Sequence, residues 1–176
     1  MQYTFSDIAP EFDYNLLRSK LTDYKNPRSK ISTLIASGEI IRVKKGLYVL
    51  GPEFNRPFSL PVLANMIYGP SYVSLNYALA LYGLIPERVH VVTSICAKRN
   101  KNFITPVGEC DYSFQPTSKC FIGLQMQRVD NQRSFIIATK EKALVDILYR
   151  QKTFSSVDQL EEYIIDSLRI ESDDLK

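Results

Sequence analysis

Apolar side chains near the start of the chain recur at helical spacing, which predicts a helix from about Asp13 to Leu21. A second helix is predicted to begin at Asn26-Pro27, because asparagine caps helices and proline fits the first helical position. Gly38 is expected to end it, since glycine readily adopts the conformation that closes a helix. The buried stripe of this second helix would consist of Ile31, Leu34 and Ile35.

Two short, mainly apolar runs follow, Ile40–Val43 and Leu47–Leu50, and they predict a hairpin with Lys44-Lys45-Gly46 at its tip. Two helices followed by such a hairpin are typical of a winged helix-turn-helix. A complete winged helix has a further helix before these, and the residues ahead of Asp13 leave room for one turn at most. The sequence therefore predicts a winged helix whose first helix is truncated or absent.

The prolines of Arg56-Pro57 and Leu60-Pro61 interrupt the regular pattern and predict a domain boundary. The head would comprise residues 1–55 and a second unit residues 56–176. Helices in the second unit are predicted around Leu63–Ile67, from Tyr72 to Leu84, after Thr139, and from a Ser156–Gln159 capping box that buries Val157, Leu160, Ile164 and Leu168. Strands forming an antiparallel sheet are predicted at Val89–Ile95, Cys110–Phe114, Cys120–Arg128 and Ser134–Ala138. The fold class expected for the chain is α+β.

The head carries an excess of positive charge, with eight basic residues against two acidic ones between Arg18 and Lys45. Such a surface is either a solvated basic face or a binding surface for a polyanion, because neutralising phosphates releases counterions. Short side chains on the exposed face of the second helix, with cations at its start, suit insertion into a major groove. Candidate DNA-binding residues are Arg28, Ser29, Lys30, Ser32, Thr33, Arg42, Lys44 and Lys45.

Residues with catalytic or metal-binding potential are scarce. His90 is the single histidine, and the three cysteines form no C-x-x-C pair. Neither a nucleophile elbow nor a glycine-rich phosphate loop occurs. We therefore expect a protein that is not an enzyme and that uses no metal or cofactor. An odd number of widely spaced cysteines, no signal-peptide pattern and no apolar stretch of the roughly 20 residues that span a bilayer indicate a cytoplasmic protein.

Three segments resemble the AbiEi family of antitoxins and autorepressors from type IV toxin–antitoxin (abortive infection) systems. The first is PRSKISTLIASGEIIRVKKGLYVLGPE (residues 27–53), in which Leu34, Gly38, Ile40, Arg42, Gly46 and Tyr48 stand at the family's positions. The others are SYVSLNYALALYGLIPERVHVVTS (residues 71–94) and FIIATKEKALVDILY (residues 135–149). The resemblance implies a winged-helix repressor that binds inverted repeats in its own operator and a second domain that neutralises a nucleotidyltransferase-like toxin.

Two charged surfaces of the second unit are candidates for partner binding. One is the basic run of Lys98, Arg99 and Lys101, interpreted as a second nucleic-acid contact, a docking site for an acidic partner or an exposed loop. The other is the acidic face of the last helix, formed by Asp158, Glu161, Glu162 and Asp166. Two other functions stay open at this stage: a protein-interaction module with a vestigial winged helix, and a nucleic-acid-processing enzyme.

Overall fold

A computed structural model describes residues 5–151 and 154–171. The head contains three strands and two helices, in the order β1 (Glu11–Asp13), α1 (Tyr14–Ser19), α2 (Pro27–Ala36), β2 (Ile40–Lys44) and β3 (Leu47–Leu50). The strands form an antiparallel sheet in which β3 lies between β1 and β2. Residues 5–10 form turns and bends and contain no helix.

Local side-chain contacts explain where the two head helices begin and end. The carboxylate of Asp13 accepts a hydrogen bond from the backbone N–H of Leu16 (2.8 Å), and the Asn26 side chain accepts one from Ser29 N–H (3.2 Å). Both contacts satisfy N–H groups that have no partner within the helix. Gly38 follows α2 with a φ of +81°, and Gly46 makes the hairpin turn with a φ of +84°. The predicted helix starts, the glycine stop and the hairpin are confirmed.

The three-stranded sheet of the head packs on both of its faces. One face closes a core with α1 and α2, in which Leu17, Leu21 and Leu34 are fully buried. The other face contributes Val43, Leu47 and Val49 to the core of the second unit. Apolar burial of this kind is the main stabilising term in folding, so the head and the second unit support each other through a shared sheet.

The second unit surrounds a six-stranded sheet with strand order β6-β7-β5-β4-β9-β8. Its elements after a single 3₁₀ turn (Pro52–Phe54) are α3 (Leu60–Ile67), β4 (Ser71–Val73), α4 (Leu75–Leu81), β5 (Val92–Cys96), β6 (Lys101–Thr105), β7 (Gly108–Phe114), α5 (Thr117–Cys120), β8 (Leu124–Arg128), β9 (Ser134–Ala138), α6 (Lys140–Gln151), α7 (Val157–Glu162) and a π-helical turn (Tyr163–Ser167). The fold class is α+β, as predicted. The sheet is mixed, because β4 pairs with β9 and β5 with β7 in parallel, so the prediction of an antiparallel sheet is wrong.

Three other predictions for the second unit need correction. The apolar run predicted as one helix from Tyr72 to Leu84 contains β4 and then α4, since a short buried strand has the same apolar pattern as a buried helix. Cys120 ends α5 instead of starting a strand. Val157 is 70% exposed instead of buried, because it lies in the first turn of α7, whereas Ile164 and Leu168 further along are buried as predicted.

Buried polar contacts also join the head to the second unit. The Glu11 carboxylate on β1 is almost fully buried and accepts a hydrogen bond from Arg133 Nη1 (2.9 Å) and another from the backbone N–H of Ser59. Arg56 donates to the carbonyls of Phe5 (2.7 Å) and Ile8 (2.6 Å). In the part of the chain that the structure describes, no helix combines the length and apolarity that crossing a bilayer needs.

Candidate nucleic-acid interface

A groove of about 660 Å³ opens between α2 and the β2–β3 hairpin. Its walls combine apolar side chains with the cations of both elements: Tyr14, Arg28, Ile31, Ser32, Ile35, Arg42, Lys45, Gly46 and Tyr48. Arg28 and Ser32 lie one turn apart on the same side of α2, and Arg42 and Lys45 project from the facing hairpin. The fold therefore brings four of the predicted DNA-binding residues together around one open groove.

The outer face of α2 presents only short side chains. Ser29, Thr33 and Ala36 are all exposed and recur at a spacing that places them on one side of the helix. The Thr33 hydroxyl donates to the Ser29 carbonyl (3.2 Å), and the Ser32 hydroxyl donates to the Arg28 carbonyl (3.2 Å). Because the Thr33 hydroxyl proton is engaged inside the helix, this face offers the lone pairs of Thr33, the Ser29 hydroxyl and methyl groups, and it allows close approach of a partner surface.

Lys30 lies on the same helix but has a different environment. Its ammonium group lies 5.5 Å from the centre of the Tyr24 ring, in the segment that joins α1 to α2. A cation placed over an aromatic face is held there by the ring's negative potential. Lys30 is therefore oriented by Tyr24 at the start of α2, next to the exposed cation of Arg28.

Lys44 does not join the other predicted DNA-binding residues. Its ammonium group donates to the carbonyl of Ile67 at the end of α3 and lies 6.0 Å from the centre of the Phe103 ring. Burial, together with the positive charges of Lys101 and Lys98, lowers the pKa of Lys44. The two lysines predicted at the hairpin tip thus lie in different surroundings: Lys45 lines the groove, whereas Lys44 contacts the second unit.

The basic run of the second unit meets Lys44 at this junction. Lys98 donates to the Gly69 carbonyl and lies 5.3 Å from the centre of the Tyr68 ring. Lys101, at the start of β6, lies 5.0 Å from the centre of the Phe103 ring, and Arg99 between them is exposed. Three ammonium groups therefore surround two aromatic rings beside the hairpin, with no carboxylate ion pair among the described residues.

The acidic residues predicted for partner binding are all exposed. Asp158, Glu161 and Glu162 lie on α7, and Asp166 lies on the π-helical turn that continues it. The structure places them on one helical segment, which is a different element from the Lys98-Arg99-Lys101 run. The two candidate surfaces are thus distinct elements of the second unit.

Sequence reasoning missed a buried polar network at the start of α6. Asp146 is fully buried, and its carboxylate accepts hydrogen bonds from Lys142 Nζ (2.7 Å), the Ser74 hydroxyl (2.7 Å) and the Tyr72 hydroxyl (3.1 Å). Burial and the neighbouring Asp146 charge raise the pKa of Tyr72 well above its usual range. The available signal was a lysine and an aspartate four residues apart, Lys142 and Asp146, in the helix predicted after Thr139.

Among the described residues, the remaining candidate reactive groups belong to no cluster of three or more side chains that could hold a metal ion. His90 is exposed in an irregular segment ahead of β5, which corrects its predicted place within a strand. Cys96, Cys110 and Cys120 are free, buried thiols. Burial raises the pKa of Cys110 from its ordinary value of 9.0 to about 11, so this thiol stays protonated and unreactive near neutral pH.

Comparison with known proteins adds no family assignment. No protein-family model matches this sequence, and comparison with curated proteins found no match.

Proposed function

We propose that this protein is a DNA-binding transcriptional regulator with a winged helix in its head. The order strand, helix, helix, hairpin, with β1 paired to the hairpin strand β3, agrees with this part of a winged helix. In this arrangement α2 enters the major groove with its small-residue face, and the hairpin lies along the adjoining backbone.

The observation that carries the proposal is the convergence of Arg28, Arg42 and Lys45 around the groove between α2 and the hairpin. Proteins that recognise DNA use some side chains to contact base edges and others to hold phosphates. Cations from two elements beside an exposed helix face could supply both kinds of contact. Arg28, in the first turn of α2, is positioned to reach a guanine edge or a phosphate.

The biological role we propose follows the resemblance to AbiEi antitoxins. The protein acts as the autorepressor of its own operon, binds inverted repeats as two copies, and neutralises a nucleotidyltransferase-like toxin with its second unit. Candidate contacts for the toxin are the Lys98-Arg99-Lys101 run and the acidic residues of α7 and the following turn. A toxin gene beside this one would support the assignment, and co-expression of both proteins would test neutralisation through cell survival and direct association.

Fluorescence anisotropy with the DNA upstream of the gene tests the DNA-binding proposal. We expect Arg28→Ala and Lys30→Ala each to weaken binding by roughly 1–3 kcal/mol, the cost of one specific contact. Arg88→Ala is the matched control, because it removes one exposed cation from the second unit. Equal affinity of Arg28→Ala, Lys30→Ala and the control variant would remove α2 from the DNA interface. Binding of protein partners but of no DNA would instead favour an interaction module with a vestigial head.

A further inference from the structure

The second unit contains a cavity of about 460 Å³ that is separate from the proposed DNA interface. It lies between α5, the turn before β8 and the first half of α6. The lining is largely apolar with a few polar groups: Gln115, Ser118, Lys119, Ile122, Gly123, Thr139, Glu141, Lys142, Val145 and Tyr149. A mainly apolar cavity of a few hundred Å³ with a small number of converging polar groups is the usual form of a small-molecule site.

An unpaired hydrogen-bond donor faces this cavity. Gln115 is only 3% exposed, and its side-chain oxygen accepts a hydrogen bond from the Tyr72 hydroxyl (3.4 Å). Its side-chain amide nitrogen has no hydrogen-bond partner among the residues that the structure describes. This nitrogen is not fully enclosed by the described residues, so it can donate to an acceptor that enters the cavity.

Among the charged groups around the cavity, one cation has no carboxylate partner. The Lys142 ammonium group is neutralised by Asp146 (2.7 Å) and also donates to the Lys119 carbonyl (2.8 Å). Glu141 at the rim stays ionised, because a hydrogen bond from the Thr139 side chain lowers the pKa of its carboxyl group, and it forms no ion pair with Lys119. The Lys119 ammonium group, 4.3 Å from the centre of the Tyr149 ring, has no carboxylate partner among the described residues. One positive charge therefore stays available at the mouth.

We propose that this cavity binds a small monocarboxylic acid with an apolar or aromatic body. The carboxylate accepts from the Gln115 amide and pairs with Lys119, and the body packs against Ile122, Val145 and Tyr149. Ile122 and Val145 are 74% and 54% exposed, so a bound ligand would cover apolar surface that faces water. This site does not depend on the proposed DNA binding.

Titration of the full chain with 4-phenylbutyrate, followed by protein-observed NMR, tests this proposal, with the neutral 4-phenylbutyramide as the matched probe. A ligand of this size is expected to bind with a dissociation constant of about 1 mM or below. We expect the carboxylate to bind at least about tenfold more tightly than the amide, which corresponds to 1.4 kcal/mol. Lys119→Ala should remove that preference while leaving amide binding unchanged.

Two exposed valines supply a blocking variant and its control. Val145→Glu places a carboxylate on the cavity wall and should abolish binding of 4-phenylbutyrate. Val157→Glu makes the same change at a position that is 70% exposed and does not line the cavity, and it should leave binding intact. Equal binding of the acid and the amide, unchanged binding in Val145→Glu, or no binding of either probe up to about 10 mM would overturn the proposal.

Discussion

The head and the second unit place their polar side chains in opposite ways. The head core is formed by apolar and aromatic side chains, and several of its cations and hydroxyls face solvent around the α2 groove, whereas its Glu11 and Lys44 contact the second unit. The second unit buries Ser74, Gln115 and Asp146 and leaves apolar side chains such as Ile104 and Ile122 exposed. The head therefore has cations and hydroxyls on an open surface that suits a large polyanion. The second unit instead uses internal hydrogen bonds to fix its core and the wall of a cavity.

The largest expected effect comes from breaking the buried network of the second unit. Asp146→Ala leaves the Lys142 ammonium group buried without its partner, and removing one member of a buried ion pair costs about 3–5 kcal/mol. Urea denaturation measures this loss. The double variant Lys142→Met with Asp146→Leu should recover part of it, because no buried charge then lacks a partner.

A control on the same helix keeps this prediction specific. Lys140 is exposed in the first turn of α6, and Lys140→Ala should change the free energy of unfolding by no more than about 0.5 kcal/mol, as is usual for surface substitutions. A loss in Asp146→Ala no greater than in Lys140→Ala would contradict the idea that internal polar contacts define the second unit.

The next effect tests the junction between the two units. Arg133 pairs with the buried Glu11 (2.9 Å) and with the exposed Asp130 (2.6 Å). Glu11→Ala should cost about 3 kcal/mol because it leaves a mostly buried guanidinium with its main buried partner removed, whereas Asp130→Ala should cost about 1 kcal/mol or less. Urea denaturation of both variants gives the stability that each of the two carboxylates contributes through its contact with Arg133. Similar losses would mean that Glu11 does not hold the head to the second unit.

The head could be predicted from the sequence because its elements depend on local signals. Asn26-Pro27 and Gly38 determine the ends of α2 through contacts within a few residues. Elements of the second unit depend on distant partners instead: β4 pairs in parallel with β9, with Val73 opposite Ile137, and this pairing carries no local signal. The neighbours of Lys44 were unpredictable for the same reason, since Ile67 and Phe103 approach it only after both units pack together.

A smaller effect is expected from pH, and it arises in the second unit, which contains all three cysteines. The Cys110 thiol ionises near its ordinary pKa of 9.0 in the unfolded chain and at about 11 in the folded protein. As pH rises above about 9, the thiol therefore ionises in the unfolded chain but stays protonated in the folded protein. The free energy of unfolding should fall between about pH 9 and 11, by at most about 1.4 kcal/mol per pH unit for this group. Cys110→Ala should make the decline measured by urea denaturation shallower. An unchanged slope would contradict the expected burial of this thiol.

The smallest effect separates the two lysines at the hairpin tip. Lys45 lines the α2 groove, whereas Lys44 is held against the second unit. Lys45→Ala should reduce the slope of log affinity against log salt by about 1, since it removes one phosphate contact, and should do so for cognate and random DNA alike. Lys44→Ala should leave the slope closer to that of the wild-type protein. A larger change in Lys44→Ala would mean that Lys44 leaves Ile67 to contact DNA.

The central claim, that the exposed face of α2 lies in the major groove, can be tested by directed DNA cleavage. Ser29→Cys places an exposed thiol on α2, which can carry an iron–EDTA reagent while the three buried native thiols stay unmodified. The account predicts cleavage within the operator half-sites from this position and none from the same reagent at Asp158→Cys on α7. DNA binding without cleavage from position 29, or cleavage only from position 158, would contradict it.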